Sequence, residues 1–284
     1  MQNIHNIKQT DQYKYWNNTK VFAWLKYDTE MNYKFSFITN YLFDNLDLNK
    51  NNKILDIGCG SGFTTSICAN KVGNKGLVVG ADISKPLLKL LNQKYKKIKN
   101  IKLIHTDIES YKFDEGYFDN VVSRFGIMFF DNPITAFINI YKCLKVGGKL
   151  TFVCWNNFKS NEFFSIPANV VSKFIKVKIP LINNSPGPFS FNKKKYIYQL
   201  LENSNFKNIK IKNVKTYLKT ANILTDTDIM LNIGTGARML GEKNTSKLIK
   251  KMIKEKLTFY LENNIFNKSY LYKANFFLVN ATKE

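Results

Sequence analysis

Arginine is nearly absent from this chain: Arg124 and Arg238 stand alone among 43 basic residues, the rest being lysine. Guanidinium forks are the preferred readers of base edges and phosphates, so a net charge of +22 does not here imply specific nucleic-acid recognition. Solvated lysine faces explain the charge more simply. Histidine is as scarce, with only His5 and His105. The four cysteines, Cys59, Cys68, Cys143 and Cys154, form no CxxC pair and no zinc-like spacing with the histidines, so no metal site is expected. They read as reduced thiols of a cytoplasm. No apolar run approaches the roughly 18 residues of a membrane span. The start, MQNIHNIKQTDQYKYW, carries no hydrophobic signal segment, so export is not expected.

What remains is an ordinary globular composition, 44% hydrophobic and 14% aromatic, arranged with a rhythm. Residues 12–48 place Trp16, Trp24, Phe35, Ile38 and Leu42 at helical spacing and predict two or so helices. Short apolar runs then alternate with amphipathic ones. KILDIG (53–58), LVVGAD (77–82), IKLIHTD (101–107), FDNVVSRF (118–125) and KLTFVCW (149–155) read as strands. FTTSICANKV (63–72), SKPLLKLLNQKY (84–95) and NPITAFINIYKCLK (132–145) read as helices, the second capped by Ser84 and the third stopped by Gly147 and Gly148. Strands apolar on both faces between helices indicate a parallel sheet covered on each side. A helix at 192–203, a strand at 207–216, a helical stretch at 226–262 and a strand at 270–280 finish the chain; the last two strands are expected to pair antiparallel. The expected organisation is one domain over 1–284. Within it, 1–50 is a helical cap, 51–155 a ligand-binding core, 156–190 and 222–268 insertions, and 191–221 with 269–284 the rest of the sheet.

The stretch ILDIGCGSGFTT (54–65) carries the chemistry. Gly58, Gly60 and Gly62 follow a strand and precede a helix, where missing side chains let backbone approach a ligand. The spacing is GxGxG, and Phe63 takes the place of the third glycine of a dinucleotide fingerprint. Asp56 would repel a pyrophosphate but suits an ammonium or sulfonium group. DIGCGSG resembles the first motif of the class I S-adenosylmethionine-dependent methyltransferases, and the later motifs follow in order. The resemblance implies a Rossmann-like, doubly wound sheet of seven strands with an antiparallel last strand and helices on both faces. It implies S-adenosylmethionine as cofactor and S-adenosylhomocysteine as product. Asp56, Gly58, Cys59, Gly60, Gly62 and Ile83 would contact the cofactor, and Asp82 would meet the ribose hydroxyls. Asp107 would meet the adenine amino group with Ile108 beside the ring, and Ser123 would flank the methionine part. YWNNTKVFAWL, SRFGIMFFDNP, FVCWNN, SPGPFSF and IGTGARML are similar to a bacterial small-molecule subgroup related to quinone-ring methyltransferases. Val146 replaces the proline of that subgroup's Pro-Gly-Gly turn, and Gly234-Thr235-Gly236-Ala237-Arg238 departs from its Gly-Pro pattern.

Methyl transfer from a sulfonium needs alignment more than acid–base groups, so the shortage of histidine does not speak against an enzyme. No general base is assigned. His105 reads as an oriented residue at a strand end. Trp16, Met128 and Trp155, with Tyr13, Trp24, Phe125 and Phe129, are candidates for an apolar acceptor pocket, each equally readable as core. Arg124 could bind an acceptor carboxylate or pair with an internal acid such as Asp131; Arg238, at the start of a late helix, could anchor an acceptor or cap that helix. The expected acceptor is a small molecule. An RNA methyltransferase, which the charge favours, and a non-catalytic cofactor binder stand as alternatives. Ser123-Arg124-Phe125-Gly126 lacks the Asn/Asp-Pro-Pro-aromatic motif of base-amino methylation. Lysine-rich faces leave peripheral contact with an anionic membrane open, and oligomeric state is unassigned.

Overall fold

The computed structural model describes residues 7, 10–18, 21–180, 183–220, 222–242, 245–264 and 270–284; His5 lies outside them. Four short helices open the described chain: α1 (Asp11–Asn17), α2 (Val21–Lys26), α3 (Asp28–Lys34) and α4 (Ser36–Asp44). The aromatic periodicity over 12–48 predicts fewer, longer helices. Tyr27 and Phe35 break it: both leave helical geometry, with ψ of 23° and 9°, so that helical spacing continues around two corners.

The sheet is built from β1 (Lys53–Ile57), β2 (Leu77–Asp82), β3 (Ile101–His105), β4 (Phe118–Arg124), β5 (Leu144–Trp155), β6 (Lys207–Thr220) and β7 (Tyr270–Thr282). Its order is β3-β2-β1-β4-β5-β7-β6. The first five strands pair in parallel, whereas β7 runs antiparallel between β5 and β6, from Lys149↔Thr282 to Trp155↔Phe276 on the β5 side. This is the doubly wound arrangement with an antiparallel last strand that the family resemblance implies, and the parallel core is the one the apolar runs lead one to expect. The chain winds outward from β1 through β2 and β3, then returns to wind the other way through β4 and β5. Ligands of such sheets bind beyond the strand ends where the order reverses, here between β1 and β4.

Helices α5 (Phe63–Val72), α6 (Lys85–Tyr95) and α7 (Pro133–Cys143) make the crossovers. Ser84 caps α6, its Oγ accepting from the Leu87 amide, with proline in the first turn. Asn132 caps α7. The expected end of that helix moves: Leu144 is already extended and pairs with Phe118, so α7 stops at Cys143 rather than at the glycines. Gly147, at φ +78°, instead forms an irregularity inside β5, where register passes from Phe118↔Leu144 to Asn120↔Lys149. Ile54, Leu55, Val121, Val122, Leu150 and Phe152 are buried at the centre of the sheet.

Beyond the sheet lie α8 (Glu162–Ile175), α9 (Lys194–Asn203), α10 (Ile223–Asn232), α11 (Thr235–Glu242) and α12 (Lys247–Asn264). The single helical stretch expected near 226–262 is therefore three helices, parted in one place by Gly234 at φ +91°. A buried ion pair, Lys34 Nζ to Asp226 Oδ2 at 2.7 Å, ties α3 to α10. No helix among the described residues is long and apolar enough to cross a membrane.

Candidate active site

Three glycines follow β1, and they do different work. Gly58, at φ +61°, lies against β4's exit: a Cβ there would stand 2.6 Å from the Cα of Gly126. Gly62 caps α5 in the left-handed region, and a Cβ would strike Leu91 of α6. Gly60, at φ +54°, has nothing within 4 Å of where a Cβ would be. Its bare backbone alone faces open space. Gly58 and Gly62 serve packing; Gly60 presents main chain to whatever occupies the crevice. Cys59 turns its thiol inward to Gly80 and the Leu88–Leu91 cluster, where burial raises its pKa well above the ordinary value. It is a small core residue, not a nucleophile.

The strand-end carboxylates sit around this loop. Asp82 ends β2, buried; Oδ2 accepts from the Gly60 amide and Oδ1 from the Ser84 amide, each at 2.7 Å. Burial lifts its pKa to about 6 against those two bonds. Each oxygen keeps a further lone pair for a hydroxyl donor. Asp56 lies inside β1, where Oδ2 accepts from Thr65 Oγ1 at 2.6 Å and Oδ1 is buried without a hydrogen-bond partner. Burial pushes its pKa to about 7, the Thr65 bond and the charge of Arg124 opposing. Asp107, just past β3, is half-buried and accepts from the Glu109 amide at 3.0 Å. Ile108 beside it is buried, its carbonyl held by Asn139. Ser123 is buried as well, its Oγ donating to the Ile57 carbonyl at 2.7 Å and accepting from Gly126. It joins the β1 and β4 ends with its side chain.

The sequence pattern of the methyltransferase-domain family fits residues 55–152, from β1 through β5. Over that stretch the chain is similar to methyltransferase domains. Demethylmenaquinone methyltransferase of Staphylococcus epidermidis is 29% identical over 166 residues, 58% of this chain and 65% of that protein, so the match spans just under two thirds of the relative's length. Two solved structures share the fold. A methyltransferase described as putative from Bacillus halodurans aligns with a TM-score of 0.55 at 21% identity, over 86% of this chain and 98% of that one. Phosphoethanolamine N-methyltransferase 2 of Haemonchus contortus, solved with S-adenosyl-L-methionine, aligns with 0.57 at 17% identity over 96% of this chain and 60% of that one.

On this core the N-terminal helices close over the strand ends through side chains whose roles are not evident in the sequence. Asn17 of α1 donates to the Ile83 carbonyl at 2.8 Å and accepts from the Lys85 amide, while Ser84 Oγ donates to the Trp16 carbonyl at 2.6 Å. Asp28 of α3 accepts from Ser61 Oγ in the glycine loop. Only Ser84 signals itself beforehand, as a helix cap; the others are isolated polar residues in a lysine- and asparagine-rich chain. His105 is exposed and reaches the Ile83 carbonyl at 3.0 Å through Nε2, in keeping with an oriented strand-end residue.

Arg124, at the mouth of β4, is held by neutral partners rather than by Asp131. It donates to Thr39 Oγ1 at 2.7 Å and to Asn32 Oδ1 at 2.6 Å, with its guanidinium over the Phe63 ring. Burial lowers its pKa to about 10, and the charges of Asp56 and Asp28 oppose that. Arg238 lies in the first turn of α11. Met128 is buried, its sulfur accepting from the Trp155 amide at 3.3 Å. Trp155 is buried too and stacks on Phe125 at 4.2 Å, with Phe35 and Phe164 at its edges. Phe125 holds φ +66°, a strained value for a bulky residue, right where β4 ends. Trp16 packs on Phe129 and Trp24. The site thus has an aromatic wall beside Gly58 and Gly126 and a carboxylate side toward β2 and β3. A cleft of about 790 Å³ between α1, α2 and α6 is lined by Tyr13, Asn17, Lys85 and Lys89 among others, and by none of these groups. Without the strand-end carboxylates it is an outer surface feature.

Proposed function

We propose that this protein binds S-adenosylmethionine across the β1–β4 crevice and catalyses transfer of its methyl group to a small, largely apolar acceptor. The observation that carries the reading is Asp82, a buried carboxylate clamped to the Gly60 amide beside the one loop glycine that faces open space. The donor set fits the cofactor. Asp82 has lone pairs left for two vicinal hydroxyls, and Asp107 stands one strand further out for an adenine amino group. The unpaired buried oxygen of Asp56 matches a ligand ammonium, which would favour its ionised form.

The bound sulfonium supplies an electrophilic methyl with a neutral leaving group. The chain's part is to orient and to exclude water. Near-attack positioning is worth about 7–11 kcal/mol, enough to make a dedicated general base unnecessary. The helices α1 and α3, hooked to Ile83, Lys85 and Ser61, cover the strand ends. Phe125 and Trp155 offer a flat apolar surface at the β4 exit, which suits a ring or an aliphatic body. The demethylmenaquinone methyltransferases among the relatives agree with an apolar acceptor by their name. The test is incubation of the purified protein with methyl-labelled S-adenosylmethionine and fractionated small-molecule extracts. Label is expected in an organic-soluble product, and Asp82→Ala is expected to lower its yield at limiting cofactor. Label appearing only in RNA, or in nothing while cofactor is bound, would overturn the acceptor class or the catalytic reading.

A further inference from the structure

Ser61 is the one side chain by which the glycine loop can be gripped from outside. The turn Cys59–Gly62 is closed by the Gly62 amide on the Cys59 carbonyl at 3.0 Å, with Gly60 and Ser61 at its tip. Cys59 is sunk into the core. Gly60 and Gly62 hold φ of +54° and +85°, and glycine on both sides of Ser61 leaves the tip wide conformational freedom. A ligand that needs the Gly60 main chain in one place must find it there or bear the entropy of ordering it. Asp82 holds the Gly60 side of the tip from within the sheet.

Helix α3 holds the Ser61 side from the cap. Asp28 Oδ1 accepts from Ser61 Oγ and, at 3.0 Å, from Asn32 Nδ2, while Oδ2 accepts from Lys94 Nζ at 2.5 Å. Asn32, one turn further on the same face, accepts from Arg124 Nη2 at 2.6 Å. The path Arg124–Asn32–Asp28–Ser61 therefore joins the mouth of β4 to the loop after β1, the two lips of the crevice, along one helix. An acid in the first turn of a helix is favoured by the dipole, and the Lys94 pair employs Oδ2. Neither accounts for Oδ1 being turned to the loop. Both oxygens of Asp28 are taken by protein donors, so its action on a ligand passes through Ser61.

We propose that Asp28 is a positioning residue that holds the Gly60–Ser61 tip in the conformation the cofactor meets. The inference rests on the cofactor reading above and brings the cap into it. Without Asp28 a smaller fraction of the protein has its loop ready, so association slows; a bound cofactor orders the loop itself and leaves at its usual rate. A residue touching the ligand would act on dissociation instead.

The test is binding of S-adenosylhomocysteine to the full chain, by calorimetric titration and by stopped-flow tryptophan fluorescence. Asp28→Ala and Ser61→Ala are each expected to weaken affinity roughly tenfold, with the loss in association and dissociation unchanged. The double variant is expected to lose no more than Asp28→Ala alone, because both changes remove the same bond. Asp28→Asn keeps an oxygen for Ser61 and gives up the charge toward Lys94, so it is expected to associate within about threefold of wild type. Additive losses in the double variant, losses confined to dissociation, or an Asn variant as weak as the Ala one would overturn the proposal. Should Asp28→Ala fail to fold, Ser61→Ala and Asp28→Asn make the same comparison. Alanine variants that bind as wild type does would overturn the role of Asp28 and leave the cofactor reading standing. Wild type that binds no S-adenosylhomocysteine would overturn both.

Discussion

The backbone N–H of Gly60 donates to Asp82 Oδ2 at 2.7 Å, so the carboxylate that closes β2 also shapes the loop that closes β1. The proposed cofactor contact and the loop geometry therefore depend on one side chain. Replacing Asp82 by Ala removes charge-assisted hydrogen bonds worth about 1.5–3 kcal/mol. Affinity for S-adenosylhomocysteine should fall roughly ten- to a hundredfold in calorimetric titration. An unchanged affinity would remove Asp82 from the site.

Binding should depend on pH with a definite sign. Burial holds Asp56 at about 7 and Asp82 at about 6, both above the ordinary 3.8. In the window between, the folded protein keeps protons that the unfolded chain has released. The free protein's stability from these groups is thus highest below about pH 4 and falls as pH rises toward 7. A ligand bringing an ammonium group and hydroxyl donors favours the ionised forms. Affinity should rise through pH 6–7, with proton release, read as a buffer-dependent binding enthalpy. Proton uptake would contradict the assignment.

The glycines should separate by role. Gly58→Ala sets a methyl against the Gly126 backbone and keeps a positive φ, costing about 2–4 kcal/mol in urea denaturation. Gly60→Ala meets no neighbour, so it should cost only about 1–2 kcal/mol of backbone strain. It should nevertheless weaken cofactor binding strongly, because the methyl points into the crevice.

Arg124→Met should destabilise the fold by about 1.5–3 kcal/mol, since Asn32 and Thr39 lose a charged donor. Lysine should restore part of the loss, because a single ammonium cannot hold two acceptors in a fork. Equal stability of all three proteins would mean that Arg124 does not pin α3 and α4 to β4.

The sheet is legible in the sequence because each strand is a short apolar run and each crossover helix an amphipathic one, with Ser84 marking the start of α6. The cofactor loop is legible for the same reason: its residues are contiguous, and the carboxylates fall at strand ends. The cap is not. Its corners at Tyr27 and Phe35 keep helical spacing, so periodicity runs through them. The partners of Arg124, and the hooks from Asn17 and Asp28, join residues far apart in the chain, and polar side chains carry no pattern that reveals such pairings. Ser123 and Met128 show the same limit, one tying two strands together and the other packed against Trp155.

Isothermal titration of the purified protein with S-adenosylhomocysteine, beside NADH as control, tests the central claim most directly. The account predicts one equivalent bound at micromolar or tighter affinity and no heat from the dinucleotide. Stoichiometric dinucleotide binding, with none of the homocysteine compound, would contradict it.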